Sequence, residues 1–325
     1  MRLLALSLIL ALACMLALGM GDQAIPLAEI TRVLTGDPDA SPVSRTILLN
    51  LRLPRVALAA AVGASLAVAG VAAQAILRNP LAEPGLLGIN AGAALAAMLV
   101  IVQVAALPES VLPAFTFAGA LVMAGAIQAL AWSSGTSSLR LILVGVGLGA
   151  LAGAGASFIA TFGPAAEVQR AMVWGAGSLQ DARWVKLMWI VQWGAPGALG
   201  LWLMARELDL IALGDGVASD VGQRVHLIRG LAILAVAMLA GAAVAASGPI
   251  AFVGLAAPHI ARQLGGTAHR GLIPMAALCG AILLVLADLA ARRVLAPVQV
   301  PVGLATALLG APFFGYLLWS RRNDI

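Results

Sequence analysis

Apolar residues fill most of the chain in continuous runs of about twenty positions, separated by short polar segments. The runs are rich in Leu, Ala, Val and Gly, and they lack the alternation of apolar and polar side chains that membrane β-barrels show. A helix of about 20 apolar residues can cross a bilayer, because it satisfies its own backbone hydrogen bonds. The pattern therefore predicts an all-α polytopic membrane protein.

Ten such runs predict about ten transmembrane helices within a single membrane domain covering residues 1–325. Their bounds are 3–20, 56–77, 86–106, 111–132, 139–162, 185–205, 228–247, 250–264, 272–291 and 302–319. The eighth run is short and indicates a half-span or a broken helix. The first begins like a secretory signal but has no clear cleavage site, so we interpret it as a retained helix.

Three connecting segments are amphipathic rather than uniformly apolar. The stretches 26–34 and 165–177 predict short surface helices. The longest connection, 206–227, has apolar positions spaced like two short helices joined at Gly214–Gly216. Within the fifth run, Gly145, Gly149 and Gly153 repeat every four residues, a spacing that allows close helix packing, either inside one subunit or between two.

Composition narrows the class of protein. Hydrophobic residues make up 62% of the chain and charged residues 10%, which excludes a soluble enzyme, a disordered protein and a nucleic-acid binder. An even number of spans places both termini on one side, and Arg2, Arg321 and Arg322 favour the cytoplasm. Basic residues nevertheless divide ten to nine between the two faces, so charge alone does not determine the orientation.

Several kinds of chemistry are missing from the sequence. Lys186 is the only lysine and follows no glycine-rich loop, so the chain has no P-loop, and ATP hydrolysis would require a separate subunit. We find no catalytic arrangement and no Cys/His metal-binding pattern, and Cys14 and Cys279 lie in apolar runs. The chain is therefore not expected to be an enzyme or to hold a metal.

Asp288 is the exception to the scarcity of charge in the middle of the runs. Arg292 follows it by four residues, one helical turn away, which predicts a structural ion pair. Proton coupling through Asp288 is the alternative. The general lack of ionisable groups in the spans argues against a carrier driven by protons or sodium.

Five sequence blocks lie at span ends and breaks. They are LRLPR at 51–55, RNPLAEPGLLG at 78–88, GPIAFVGLAAPHIAR at 248–262, VPVG at 300–303 and LGAPFF at 309–314. In this order and spacing, from about residue 45 to the C-terminus, they resemble the FecCD-type permeases of ABC importers for iron-siderophores, haem and cobalamin.

This resemblance implies a type II ABC importer permease fold with ten helices per subunit. It implies a homodimer in the bacterial inner membrane, with the translocation path at the dimer interface. Two ATPase subunits would bind on the cytoplasmic side and a periplasmic substrate-binding protein on the other. ATP and Mg²⁺ would be held by the ATPase subunits, and no cofactor would be bound permanently.

The resemblance also assigns roles to individual residues. Arg52, Arg55 and Arg292 match arginines that bind glutamates of the binding protein, with solvated interfacial anchors as the alternative. The loop 206–227 matches the coupling helices that sit on the ATPase. Its matching residues are Leu213, Gly214, Ala218 and Gly222. The cytoplasmic gate matches Asn79, Leu81, Ser137, Ser138 and Leu139, where Leu139 replaces a small polar residue of the family.

The sequence constrains the identity of the transported molecule less than it constrains the class of protein. The stretch 78–89 looks most like haem and cobalamin permeases, and we favour haem, with ferric siderophores and cobalamin as alternatives. Two hypotheses from other classes are an ion-coupled secondary transporter and a membrane-embedded enzyme. Co-purification of an ATPase distinguishes the permease from both.

Overall fold

The computed structural model describes residues 1–21, 23–104, 108–132, 137–294, 296 and 298–320, and within these ranges it leaves out the side chains of 109, 313, 314, 316–318 and 320. Every regular element in the described ranges is a helix, as the all-α prediction requires. Arg321 and Arg322, which contributed to the predicted orientation, lie outside the described residues.

The described part of the chain folds into sixteen α-helices. They are α1 (Arg2–Gly19), α2 (Leu27–Thr35), α3 (Pro42–Thr46), α4 (Leu53–Leu77), α5 (Ile89–Gln103), α6 (Leu112–Ala131), α7 (Ser138–Phe162), α8 (Ala165–Gly175), α9 (Trp184–Trp189), α10 (Ala195–Leu203), α11 (Ala205–Leu213), α12 (Asp215–Asp220), α13 (Val225–Ser247), α14 (Val253–Gly265), α15 (His269–Arg293) and α16 (Val302–Ser320). Wider π-helical turns at Ile47–Arg52 and Ile190–Gly194 join α3 to α4 and α9 to α10.

Each of the ten apolar runs contains a helix, but fewer than ten of these helices are long and apolar enough by themselves to be membrane spans. Among the described residues, six helices are long and apolar enough to cross a bilayer, and a seventh is obtained if α9–α10 and α11, which meet at 63°, form one bent span. The helices α5, α14 and the described apolar part of α16 are shorter. Ten spans therefore remains a prediction.

The short eighth element has a clear structural cause. The chain leaves α13 at Gly248, whose φ is +70°, and enters α14 at Phe252, whose φ is +68°. These left-handed conformations break the helical path, so α14 begins after an irregular turn and spans only 13 residues. The short length of the eighth run thus corresponds to a short helix, and its description as a half-span or broken span stays a prediction.

The centre of the molecule is the crossing of α4 and α15. Gly63 of α4 faces Gly280 of α15, and a Cβ added at Gly280 would lie 2.6 Å from the Cβ of Ala67. Because neither glycine has a side chain, the two backbones approach much more closely than Leu or Val would allow. The helices α13 and α14 also pack against α4, which is buried along most of its length.

The fifth run, now α7, uses its glycines in two ways. A Cβ at Gly145 would lie 2.8 Å from the Leu86 carbonyl oxygen, so this position packs within the subunit. Gly153 has no neighbouring atom within 4 Å of such a Cβ. Of the six long apolar helices, α7 is the least buried, and it leaves a long face without contacts inside the subunit.

The helices place two sets of residues at opposite ends of the bundle. We call one end the coupling face, formed by α11 and α12 together with the end of α4 and the starts of α13 and α15. We call the other the arginine face, formed by the end of α1, the start of α4 and the end of α15. The predicted amphipathic segments form α2, α8 and the pair α11–α12.

Candidate functional site

Arg52 lies on the arginine face, in the π-helical turn before α4, and only 7% of it is exposed. Its Nη1 donates to the carbonyl oxygens of Leu18 at 2.6 Å and Gly19 at 3.2 Å, and its Nη2 donates to the carbonyl of Gln23. These carbonyls lie at and just beyond the end of α1, where helical oxygens lack intrahelical partners. Arg52 therefore joins α1 to α4.

Arg55 and Arg292 both bind the carboxylate of Asp288, which is 1% exposed. The Nη2 and Nε of Arg55 lie 2.9 and 3.1 Å from Oδ1, and the Nε of Arg292 lies 3.1 Å from Oδ2. The Asp288–Arg292 pair has the i, i+4 geometry expected from the sequence. Arg55, from a different helix, is a second partner that spacing could not indicate. Its Nη1 also donates to Gln299 Oε1 at 2.9 Å.

The three arginines line one cavity of about 430 Å³ on this face. Gln23, Gln180 and Gln299 contribute polar walls. Three guanidinium charges face the cavity against the single carboxylate of Asp288, which leaves an excess of positive charge. Such a cavity favours a carboxylate from outside the chain, because guanidinium groups bind carboxylates through paired hydrogen bonds. Arg52 and Arg292 are buried, and the side chain of Arg55 is 11% exposed.

On the coupling face, α11 and α12 form a short helical hairpin around Gly214, whose φ is +127°. The inward positions Leu208, Ile211 and Ala218 are fully buried. A backbone turn with φ of +83° at Gly222 ends the hairpin. Of the four matched coupling residues, Ala218 therefore packs against the bundle. Leu213 is the one with a large side chain, and that side chain is exposed to solvent.

Two further apolar residues of this segment, Val217 and Val221, are exposed as Leu213 is. Leu213, Val217 and Val221 are 70%, 48% and 62% exposed and follow one another at intervals of four residues. We call this row the coupling stripe. Val217 and Val221 were not singled out from the sequence, although their spacing was visible there. Exposed apolar rows on polar segments are typical of contact surfaces.

Polar contacts of two aspartates hold the hairpin to two different helices. Arg229 of α13 is fully buried, and its Nη2 lies 2.6 Å from Asp215 Oδ1 at the start of α12. The Oδ1 of Asp209 in α11 accepts the backbone N–H of His269 at 3.0 Å and lies 2.6 Å from its ring Nδ1. The hairpin is thus fixed to both α13 and α15.

One of the residues predicted for the gate, Ser138, contacts the end of α4. The hydroxyl of Ser138 donates to the Ile76 carbonyl at 2.9 Å, while the Arg78 Nε donates to that hydroxyl at 3.4 Å. Asn79 Oδ1 accepts the Leu81 N–H at 2.9 Å and fixes the turn that follows. Ser137 caps α7 by accepting the Arg140 N–H at 3.2 Å, and the side chain of Leu139 is exposed.

Glu83, in the turn between α4 and α5, is a partly buried acid that the sequence did not single out. Its Oε2 accepts the N–H of Phe252 at 3.3 Å, at the start of α14. Burial raises the pKa of Glu83, and the hydrogen bond from Phe252 opposes that rise. The side chain therefore ties the RNPLAEPGLLG block to the GPIAFVGLAAPHIAR block. No group of metal-binding residues occurs in the described ranges.

Comparison with known proteins assigns the family. The FecCD transport family matches residues 9–320. The chain belongs to the FecCD transport family. The sequence-based resemblance is thereby confirmed, and it extends further towards the N-terminus than the blocks from residue 45 onward indicated.

Individual relatives of this family member carry different names. It is 42% identical to the achromobactin transport system permease protein CbrC of Dickeya dadantii, over 98% of this chain and 91% of the relative. It is 40% identical to the hemin transport system permease protein HmuU of Yersinia pestis, over 99% and 97%. It is 40% identical to the vitamin B12 import system permease protein BtuC of Vibrio cholerae, over 87% and 86%.

A solved structure shares the fold. It is described as an inward-facing conformation of a metal-chelate type ABC transporter and matches with a TM-score of 0.88 at 30% identity, covering 98% of both chains. The all-helical architecture of this FecCD protein is therefore that of a metal-chelate ABC permease.

Proposed function

We propose that this chain is the membrane-spanning permease subunit of a binding-protein-dependent ABC importer for a metal chelate. Its coupling face would lie in the cytoplasm and bind two ATPase subunits per dimer, and its arginine face would receive a periplasmic binding protein. The termini would be cytoplasmic, and the membrane would be the bacterial inner membrane. Family membership supports the transport role, and the coupling stripe is the observation that carries the mechanism.

The coupling stripe fits an ATPase cleft for a physical reason. The hairpin is held to the bundle by buried Leu208 and Ile211, by the ion pair of Asp215 with Arg229 and by the contact of Asp209 with His269, so it can act as a stiff unit. Its outward row of Leu213, Val217 and Val221 offers an apolar surface to a partner. A rigid, apolar projection transmits movement of a bound ATPase into the bundle, while the chain itself performs no hydrolysis.

On the arginine face, the positively charged cavity suits a binding protein that carries acidic side chains. Arg55→Gln and Arg292→Gln should weaken docking of the cognate binding protein in a pull-down with permease in nanodiscs. Arg183→Gln is the matched control, because Arg183 is exposed and pairs only locally with Asp181. Docking that is unchanged in both cavity variants would contradict the assignment, provided that the ATPase still co-purifies and so reports a folded permease.

The free face of α7 supports a homodimer. Gly147, Ala150, Ala154 and Ser157 are exposed and lie at intervals of three and four residues, so they form a row of small side chains. Rows of this kind let membrane helices from two subunits approach closely. The translocation path would then run between the two copies, near the gate residues at the start of α7.

Haem is the substrate we favour, on the resemblance of residues 78–89 to haem and cobalamin permeases. Ferric siderophores and cobalamin are the alternatives, and the relatives named above include one of each kind. No permanently bound cofactor is needed by this mechanism. Measuring the binding of each chelate to the cognate periplasmic protein distinguishes the three substrates. Tight cobalamin binding without haem binding would overturn the choice of haem.

An ion-coupled secondary transporter is the competing function. Asp288 is the acidic residue that such a carrier would use, but two arginines hold its carboxylate. These two contacts give the carboxylate a structural role in joining α4 to α15, which accounts for a buried acid here without ion coupling. Uptake in proteoliposomes separates the two functions. We expect transport to require a hydrolysing ATPase and to survive collapse of the proton gradient, and the reverse result would refute the importer.

A further inference from the structure

Helix α15 connects the two functional faces directly. It runs without interruption from His269 to Arg293, about 37 Å at 1.5 Å per residue. Its first residue contacts the coupling hairpin, and its last turns carry Asp288 and Arg292 of the arginine cavity. It therefore has a hydrogen-bonded contact to the coupling hairpin at one end and ion pairs in the arginine cavity at the other.

The contact at the coupling face is a double one. A single carboxylate oxygen of Asp209 accepts the backbone N–H of His269 and lies 2.6 Å from its ring nitrogen Nδ1. The backbone N–H is one of the groups that a helix start leaves without an intrahelical partner, and a negative charge there is favourable. The His269 side chain is 7% exposed, whereas that of Asp209 is 38% exposed, so the contact lies at the boundary between the bundle and solvent.

The contact at the arginine face fixes the orientation of the cavity. Asp288 holds Arg55 through both carboxylate oxygens and holds Arg292 through one. A displacement of the end of α15 therefore moves the guanidinium of Arg55, although Arg55 belongs to α4. Between the two ends, the close crossing at Gly63 and Gly280 limits the ways in which α15 can shift sideways.

We propose that α15 is the element through which the coupling hairpin and the arginine cavity influence each other, with His269 and Asp288 as positioning residues at its two ends. This inference rests on the proposed importer function. Closure of the ATPase would displace α11, Asp209 would carry that displacement to α15, and Asp288 would reorient the docking arginines. Influence in the opposite direction follows from thermodynamic reciprocity.

The test uses the complete complex of permease, ATPase and binding protein in nanodiscs. Two quantities are measured: the stimulation of ATP hydrolysis by loaded binding protein, and the ratio of binding-protein affinities with and without trapped nucleotide. His269→Leu fills the buried site with an apolar side chain and removes the contact of the imidazole ring with Asp209. We expect both quantities to fall by about fivefold or more, the lower range of measured site-to-site coupling, while basal hydrolysis persists.

Two matched variants make the result specific. His269→Asn places a donor close to the position of Nδ1 and should restore most of the coupling, although it packs less well than leucine. Arg270→Gln changes the next residue, which contacts Trp202 and not the hairpin, and should leave both quantities unchanged. If asparagine and leucine behave alike, or if leucine has the wild-type coupling, the proposal is wrong.

The contact of Asp288 at the arginine face is tested with the same two measured quantities. Asp288→Asn should lower the stimulation, and the double variant His269→Leu/Asp288→Asn should be little worse than either single variant, because both changes interrupt the same connection. Fully multiplicative losses would overturn the shared route. If instead the wild-type complex shows no stimulation of ATP hydrolysis by a loaded binding protein, the proposed importer function is wrong, and the proposal for α15 fails with it.

Discussion

The crossing of α4 and α15 allows a sharp test of the fold. Replacing Gly280 by alanine adds one methyl group at the point where the two backbones meet. That methyl would lie 2.6 Å from Ala67 Cβ, 2.9 Å from the Gly63 carbonyl carbon and nearer still to its oxygen. Nonbonded carbons pack at about 3.5–4.0 Å, so the helices must separate by about 1 Å.

The cost follows from this geometry. Overpacking of a well-packed interface typically costs about 1–3 kcal/mol, and here the obstacle is backbone, which cannot rotate away. Gly271→Ala is the matched control on the same helix, because a Cβ there meets no atom within 4 Å. Alanine is a better helix former than glycine by about 1 kcal/mol, so the control should be neutral or stabilising.

The assay can use a cysteine that the chain already has. Cys279 precedes Gly280 and is buried, so a thiol-reactive fluorophore reports opening of this region during heating. Cys14→Ser removes the other thiol and serves as the background for all variants. We expect Gly280→Ala to react at a lower temperature than the background and Gly271→Ala at an equal or higher one. Equal curves for the two alanine variants would refute the close crossing.

Three further predictions concern other parts of the molecule. Glu83→Gln should gain stability relative to the wild type as pH rises above about 4.5, the ordinary pKa of the carboxyl. A raised pKa means that the folded carboxyl keeps a proton that the unfolded one has released, so the stability of the wild type falls as pH rises through this range. Thermal melts of both proteins across pH check this, and a difference independent of pH contradicts it. Val217→Ser with Val221→Ser should abolish ATPase co-purification without changing the melting temperature of the permease alone, and retained ATPase would show that the coupling stripe is not the contact. Gly147→Leu should yield monomers in light scattering whereas Gly125→Leu, at another open helical position, should not; two dimeric variants would exclude this face of α7.

Sequence reasoning did well wherever a property depends on local pattern. The ten apolar runs each contain a helix, and the surface segments became α2, α8 and the hairpin α11–α12. These outcomes follow from hydrophobic periodicity and backbone hydrogen bonding, which are local. The family blocks led to the FecCD assignment because their order and spacing are visible without any coordinates.

Sequence spacing could not predict which residues on different helices contact each other. Asp288 and Arg292 are one helical turn apart, so their pairing could be predicted, whereas Arg55 comes from a helix more than 200 positions away along the chain. The contact of Asp209 with His269 and that of Glu83 with Phe252 have the same character. No periodic signal relates residues on different helices, because their distance depends on how the helices pack.

The sequence by itself determined that this protein is an all-helical membrane permease of the FecCD family, with its charges kept almost entirely out of the apolar runs. Only the tertiary structure decided what those charges contact: Arg52 binds backbone carbonyls, and Arg55 and Arg292 share a buried aspartate. The physical reason is that a lipid-exposed apolar run already specifies a helix, whereas an ion pair exists only where packing brings two side chains within about 4 Å.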